Sequence, residues 1–88
     1  MPFEPTPLSR RLRALREGRN WSRPAAVSEA LSLMEQSGLS TAKRLTTEAL
    51  RSYERGVRPP ADTMLVLSRL YDVGYSDLSL TGLPGGVA

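Results

Sequence analysis

Leu50-Arg51-Ser52-Tyr53-Glu54-Arg55-Gly56-Val57-Arg58-Pro59-Pro60 closes a polar, arginine-bearing helix with a glycine stop and a basic, proline-locked turn. A left-handed cap costs Gly56 nothing in sterics, and Pro59 and Pro60 bar any continuation. The chemistry on offer there is charge and hydrogen bonding. All but one of the 12 Lys and Arg residues are arginine, whose planar fork suits phosphates and guanine edges better than an ammonium does. Net charge is only +3 and the pI near 10.0, so placement of the arginines says more than their sum. Histidine and cysteine are both absent, which removes the commonest general base, the commonest zinc ligand and any thiolate nucleophile or disulfide. The 9 acidic residues are dispersed, and no two share a spacing and an apolar setting that would divide them into acid and base. Neither catalysis, a metal nor a cofactor is expected from these parts.

The elements that would hold those side chains follow from periodicity. Residues 1–7 carry three prolines and no repeat, which predicts an extended N-terminal arm. Leu8, Leu12 and Leu15 then fall on one helical face, so a helix is expected over 8–18. Ser22 is a cap candidate with Pro24 in the first turn. Val27, Ala30, Leu31 and Met34 form the apolar stripe of a helix over 23–36, stopped by Gly38.

From Thr41 to Arg55 two divisions compete: one long helix, or a short piece through Leu45 followed by a separate helix capped by Thr46 or Thr47. The threonine pair favours the second, because such side chains compete with regular helix and prefer caps. Ala61 to Tyr71 forms a further helix with Ala61, Met64, Leu65, Ser68 and Tyr71 on one face, widened by Leu67 and Leu70 in a way that suits a partner. Ser76 can cap a last short helix over 77–80, and 81–88 reads as a flexible tail. The sum is one all-α, five-helix domain over 8–80, small enough that a partner copy would help its stability. No apolar run nears the roughly 20 residues that cross a bilayer, and the N-terminus lacks a signal-peptide layout, so the expected location is cytoplasmic.

With these elements in order, the chain resembles the Cro/C1-type (Xre) helix-turn-helix family of phage repressors and bacterial regulators. The resemblance rests on Leu12-Arg13-Ala14-Leu15-Arg16-Glu17, on Trp21-Ser22-Arg23, on Val27 to Leu31, on Leu50 to Gly56, and on Thr63 to Tyr71. It covers about residues 8–80. Its second half is the stronger, because the Tyr-Glu-Arg-Gly ending, the prolines and the amphipathic helix run in register without a gap.

That resemblance implies a lambda-repressor-like fold and a function: sequence-specific binding of double-stranded DNA by a transcriptional regulator, expected as a repressor acting as a homodimer on a palindromic operator. The family's third helix enters the major groove N-terminus first. By motif position Thr47, Glu48 and Ser52 match its base-reading positions, and Arg51 lies close enough to join them. Glu48 would accept from a cytosine amino group, Arg51 would grip guanine O6 and N7, and Thr47 would touch a thymine methyl. Ser22 and Arg23 match the helix 2 start that bonds phosphates, and Lys43, Arg44, Arg55 and Arg58 are further phosphate candidates. Arg16 and Glu54 match the arginine and glutamate that the family joins as a mostly buried ion pair. Trp21 stands where the family usually has leucine, and reads as a core aromatic.

The chain departs from the family between helices 2 and 3. About a dozen residues separate helix 2 cap from reading-helix turn in the family; Ser22 to Thr46 is about twice that. The surplus lies between Leu33 and Leu45. Under the long-helix division, Ser40, Thr41 and Lys43 would become the residues nearest the bases. An alternative function also stands: a helix-turn-helix scaffold used as a protein-interaction module, antitoxin-like or adaptor, through the 33–45 segment or the wide face of helix 4.

Overall fold

A computed structural model describes residues 5–41 and 44–81. Among them are five α-helices and no strand: α1 (Pro7–Gly18), α2 (Arg23–Ser37), α3 (Thr47–Arg55), α4 (Ala61–Leu70) and α5 (Tyr75–Ser79). None is long and apolar enough to cross a membrane. The helix 1, 2 and 4 boundaries lie within a residue of those read from periodicity.

Helix α1 begins earlier than the proline-rich arm over 1–7 allowed. Thr6 is its N-cap, accepting from the Ser9 amide at 3.0 Å while the Thr6 amide donates to Ser9 Oγ at 2.7 Å. This reciprocal box satisfies two end amides, and Pro7 sits at the one helical position where its missing N–H costs nothing. Thr6 and Pro7 therefore belong to the domain, whereas residues 1–4 of the expected arm lie outside the described residues. So do residues 82–88 of the expected tail.

Ser22 caps α2, its hydroxyl accepting from the Ala25 amide at 3.2 Å, and Gly38 ends the helix at φ +69°. The described residues between Leu39 and Thr46 contain no helix, so the short helical piece expected through Leu45 is not seen there. Thr46 instead caps α3 directly, accepting from the Ala49 amide at 3.0 Å. The competition between one long helix and two is thus decided by a threonine whose side chain replaces a backbone partner. At the other end Gly56 takes φ +128°, a conformation closed to residues with a Cβ. Its amide donates to the Ser52 carbonyl, and the Val57 amide to the same oxygen at 3.1 Å. Helix α5 starts at Tyr75 behind an extended Gly74, two residues before the expected start; Ser76 lies inside the first turn rather than at its cap.

The core is built where the helices cross. Helix α1 packs on α3, α2 on α3 and α4, and α4 on α5. Leu12, Ala30, Leu50, Leu67 and Leu78 bring one side chain from each helix into the fully buried centre, joined by Leu45 from the connection. Helix α4 buries Thr63, Met64, Val66, Leu67, Ser68 and Leu70, so the apolar width that suited an outside partner is covered within the monomer. Ala61 and Leu65, placed on its apolar face from periodicity, are exposed and half-buried, because the buried arc is centred on Met64, Leu67 and Tyr71 instead.

Tyr71 ends α4 beneath Trp21, with ring centroids 6.4 Å apart and planes tilted by 38°. Its ring is buried, and its hydroxyl meets no hydrogen-bonding partner among the described residues. Burial pushes the phenol up to about 12, helped by the nearby Glu54 charge. The folded state therefore favours the neutral phenol, and its stability is intact below the ordinary tyrosine pKa near 10 and declines as pH climbs from there towards 12. Tyr71→Phe removes a buried hydroxyl that bonds to nothing, so thermal denaturation at pH 7 should show it unchanged or stabilised by about 1 kcal/mol. The variant should also lose the part of the alkaline decline, on the order of 2 kcal/mol between pH 10 and 12, that the tyrosine causes. A variant clearly less stable than the parent at pH 7 would mean the hydroxyl is bonded in solution.

Candidate nucleic-acid interface

Helix α3 divides cleanly by face. Leu50 and Glu54 point inward and are buried, while Glu48, Arg51 and Arg55 are exposed and Thr47 and Ser52 half-buried. The spacing 47, 48, 51, 52, 55 keeps these five side chains on one strip of the helix surface. Glu48 lies in the first turn and Arg55 in the last, each where the helix dipole favours its sign. Arg51 Nη1 approaches Glu48 Oε1 at 3.2 Å, with about half or more of each side chain accessible. The strip's arginine fork and carboxylate are therefore partly neutralised by each other in the free protein. Groups in water at such exposure bind one another weakly, by 1 kcal/mol or less.

The inward face carries a buried, two-pronged ion pair. Arg16 Nε donates to Glu54 Oε2 at 2.7 Å and Arg16 Nη2 to Glu54 Oε1 at 3.0 Å, a two-pronged pair joining α1 to α3. The Glu54 side chain is 1% accessible and that of Arg16 9%. The third prong, Arg16 Nη1, donates to the Trp21 carbonyl at 2.7 Å, where the chain turns into α2. Hydrogen bonding to Glu54 raises the Arg16 pKa above its already high ordinary value, against the opposing effect of burial. This guanidinium stays charged at every accessible pH.

Glu54 serves a second cation. Arg23 Nε lies 3.3 Å from Glu54 Oε1, close enough for attraction although its N–H makes no aligned hydrogen bond. Arg23 is one of the phosphate candidates from the sequence; here its inner nitrogen is buried against Glu54, with 31% of the side chain accessible. Nothing in its spacing announced a third member of the cluster, since the contact depends on how the start of α2 crosses α3.

The other phosphate candidates are scattered around the strip. Ser22 is exposed at the start of α2, and Arg44 and Arg55 are exposed with no ion pair among the described residues. Arg58 is exposed, but its Nη2 donates to the Ser79 carbonyl at 2.6 Å and so ties the turn after α3 to the end of α5. Lys43 lies outside the described residues. The sequence also gave no sign of the Arg11 contact with Asp77, 2.7 Å long, which fastens α1 to α5 and holds the Asp77 carboxyl below the usual carboxylate range.

Ser40 is exposed and Thr41 half-buried in the connection that precedes α3, so neither stands on the reading strip that the long-helix division would have given them. Among the described residues no three of the acidic side chains cluster in a way that could hold a metal ion. What the arrangement offers is a short helix with one face anchored by charge and the other presenting Thr47, Glu48, Arg51, Ser52 and Arg55 to solvent. Compared with known proteins, the chain is matched by no family model, by no curated protein and by no solved structure.

Proposed function

We propose that this chain is a sequence-specific double-stranded-DNA-binding regulator with a helix-turn-helix layout, in which α3 reads the major groove. The supporting observation is the split character of α3: a polar strip left accessible on one side, and on the other a glutamate gripped by two arginines that fixes the helix's orientation. In this reading Thr47, Glu48, Arg51 and Ser52 meet base edges. Ser22, Arg23, Arg44, Arg55 and Arg58 serve as phosphate contacts, joined by Lys43 on the sequence resemblance alone, with Arg23 sharing its charge between Glu54 and the DNA backbone. Arg16 and Glu54 stay architectural.

A monomer presents a single reading helix. A homodimer on a palindromic site would set two of them about 34 Å apart, one turn of DNA, and this is the form we assign to a repressor of this size. Such a protein acts in the cytoplasm on the nucleoid.

Selection of bound fragments from a random duplex pool, followed by titration at two salt concentrations, tests the reading. The expected result is one enriched, inverted-repeat sequence. With five phosphates neutralised per half-site by Arg23, Lys43, Arg44, Arg55 and Arg58, the logarithm of affinity should fall against log salt with a slope of about −4.5, and about twice that for a bound dimer. Failure to enrich any sequence, with no retention of random duplex at low ionic strength, would overturn the proposal.

A further inference from the structure

DNA binding through α3 leaves the far half of α2 without a task. This helix runs to Ser37, and its second half shares a cavity wall with Arg69 and Leu70 of α4. There a cavity of about 300 Å³ opens between α2, the α1–α2 turn and the C-terminal end of α4. No residue of α3 lines it, so it lies clear of the reading strip. An α2 of half this length would lack Ser32, Leu33 and Gln36, which form one of its walls.

The chemistry of the lining is mixed in an ordered way. Trp21, Leu33 and Leu70 supply apolar surface, while Arg19, Arg69 and Glu29 supply charge. Those three charged side chains are exposed and form no ion pair among the described residues. Their sum is one positive charge. The Arg19 guanidinium also lies 5.4 Å from the centre of the Trp21 ring, a cation–π contact that holds it over the apolar part of the lining. Clefts between helices are a common place for small-ligand sites, and in this one charged, hydroxyl and amide groups form more of the wall than the apolar side chains do. A volume near the lower end of such sites restricts the occupant to a small molecule.

We propose that this cavity binds a small organic monoanion with an apolar body, its carboxylate met by Arg19 and Arg69 and its hydrocarbon part laid against Trp21, Leu33 and Leu70. A single negative charge neutralises the rim, and the Glu29 carboxylate selects against a second one. The site needs no DNA, so its test is independent of how α3 is read.

Trp21 is the chain's only tryptophan, and its emission reports occupancy directly. Titration of the full chain with 3-phenylpropionate should give a saturable change in that emission with Kd of about 1 mM or tighter, the range open to a molecule of its size. Backbone amide shifts in nuclear magnetic resonance should concentrate at Trp21, Ser32, Leu33, Gln36 and Leu70. The neutral analogue 3-phenylpropionamide should bind at least about tenfold more weakly, as should 3-phenylpropionate to Arg19→Gln or Arg69→Gln, because a charge-assisted hydrogen bond is lost in each. Both substitutions lie on exposed side chains, and unchanged circular dichroism and melting temperature would confirm that the fold is kept. Equal binding of acid and amide, amide shifts spread over other helices, or no saturable response to the acid up to about 10 mM would each overturn the proposal.

Discussion

Glu54→Ala should be the most damaging single substitution on the charged side of this protein, lowering stability by about 3–5 kcal/mol. Glu54 is almost wholly enclosed and is the counter-ion of both Arg16 and Arg23. Its removal leaves the Arg16 guanidinium, itself 9% accessible, charged and facing an emptied site. Arg16 does not escape by losing its proton at neutral pH, since an arginine's ordinary pKa is too high for burial alone to deprotonate it, even with the raising effect of Glu54 removed. Set against the roughly 5–15 kcal/mol that stabilises a typical domain, such a loss is about a fifth of the total at the least. For a domain of this size it corresponds to a fall in melting temperature on the order of 15–30 °C.

Calorimetric or spectroscopic melting checks the size of the effect. The double variant Arg16→Met with Glu54→Leu separates its causes. If the single variant suffers from a stranded charge, the double should recover much of the lost stability, because both charges leave the interior together. Arg23, with a third of its side chain in water, tolerates the loss of its partner better than Arg16. A single variant within about 1 kcal/mol of the parent would show that the pair behaves like one on the surface.

The second large effect concerns recognition. On a selected operator, Arg51→Ala should weaken binding by about 1–3 kcal/mol, or about 5- to 150-fold, and relax the preference at one base pair. On random duplex it should do much less. Arg51 is on the accessible strip, and its only described charge partner is Glu48, one turn away; breaking that weak contact costs little when a guanine edge replaces it. Without Arg51, Glu48 keeps its negative charge beside the DNA with no cation to offset it, which adds to the loss. Arg55→Ala is the matching control. It should weaken cognate and random duplex alike and reduce the salt slope by about one. Equal losses on both duplexes for Arg51→Ala would remove it from the base-reading set.

Much of this architecture was legible in the chain because it depends on local rules. Helix α2 follows from an apolar stripe between Ser22 and Gly38, and the end of α3 from Gly56 followed by two prolines. The start of α3 was ambiguous, since two threonines stand in a row and either can cap; only the hydrogen bond from the Ala49 amide to Thr46 decides it. Thr6 was misread for a related reason. Three prolines mask the box that it forms with Ser9, whose partner is a serine rather than the glutamate or glutamine that marks such boxes.

Contacts between distant elements were harder. The pairing of Arg16 with Glu54 came from resemblance and not from spacing, and the approach of Arg23 to the same carboxylate depends on a crossing that no local pattern encodes. Helix α4 shows the opposite failure. Its broad apolar surface suggested an outside partner, but a helix covered by both α2 and α5 needs that breadth for its own core.

One guanidinium, that of Arg16, grips the α1–α2 corner through the Trp21 carbonyl and the far end of α3 through Glu54. These two places meet at one guanidinium, so a shift of either disturbs hydrogen bonds on which the other depends. In the proposed reading, the pose of the outward strip therefore hangs on the same buried contact that ties the start of the domain together. On that reading a change of operator falls to the outward strip, whose side chains can be exchanged without touching the buried ion pair beneath them.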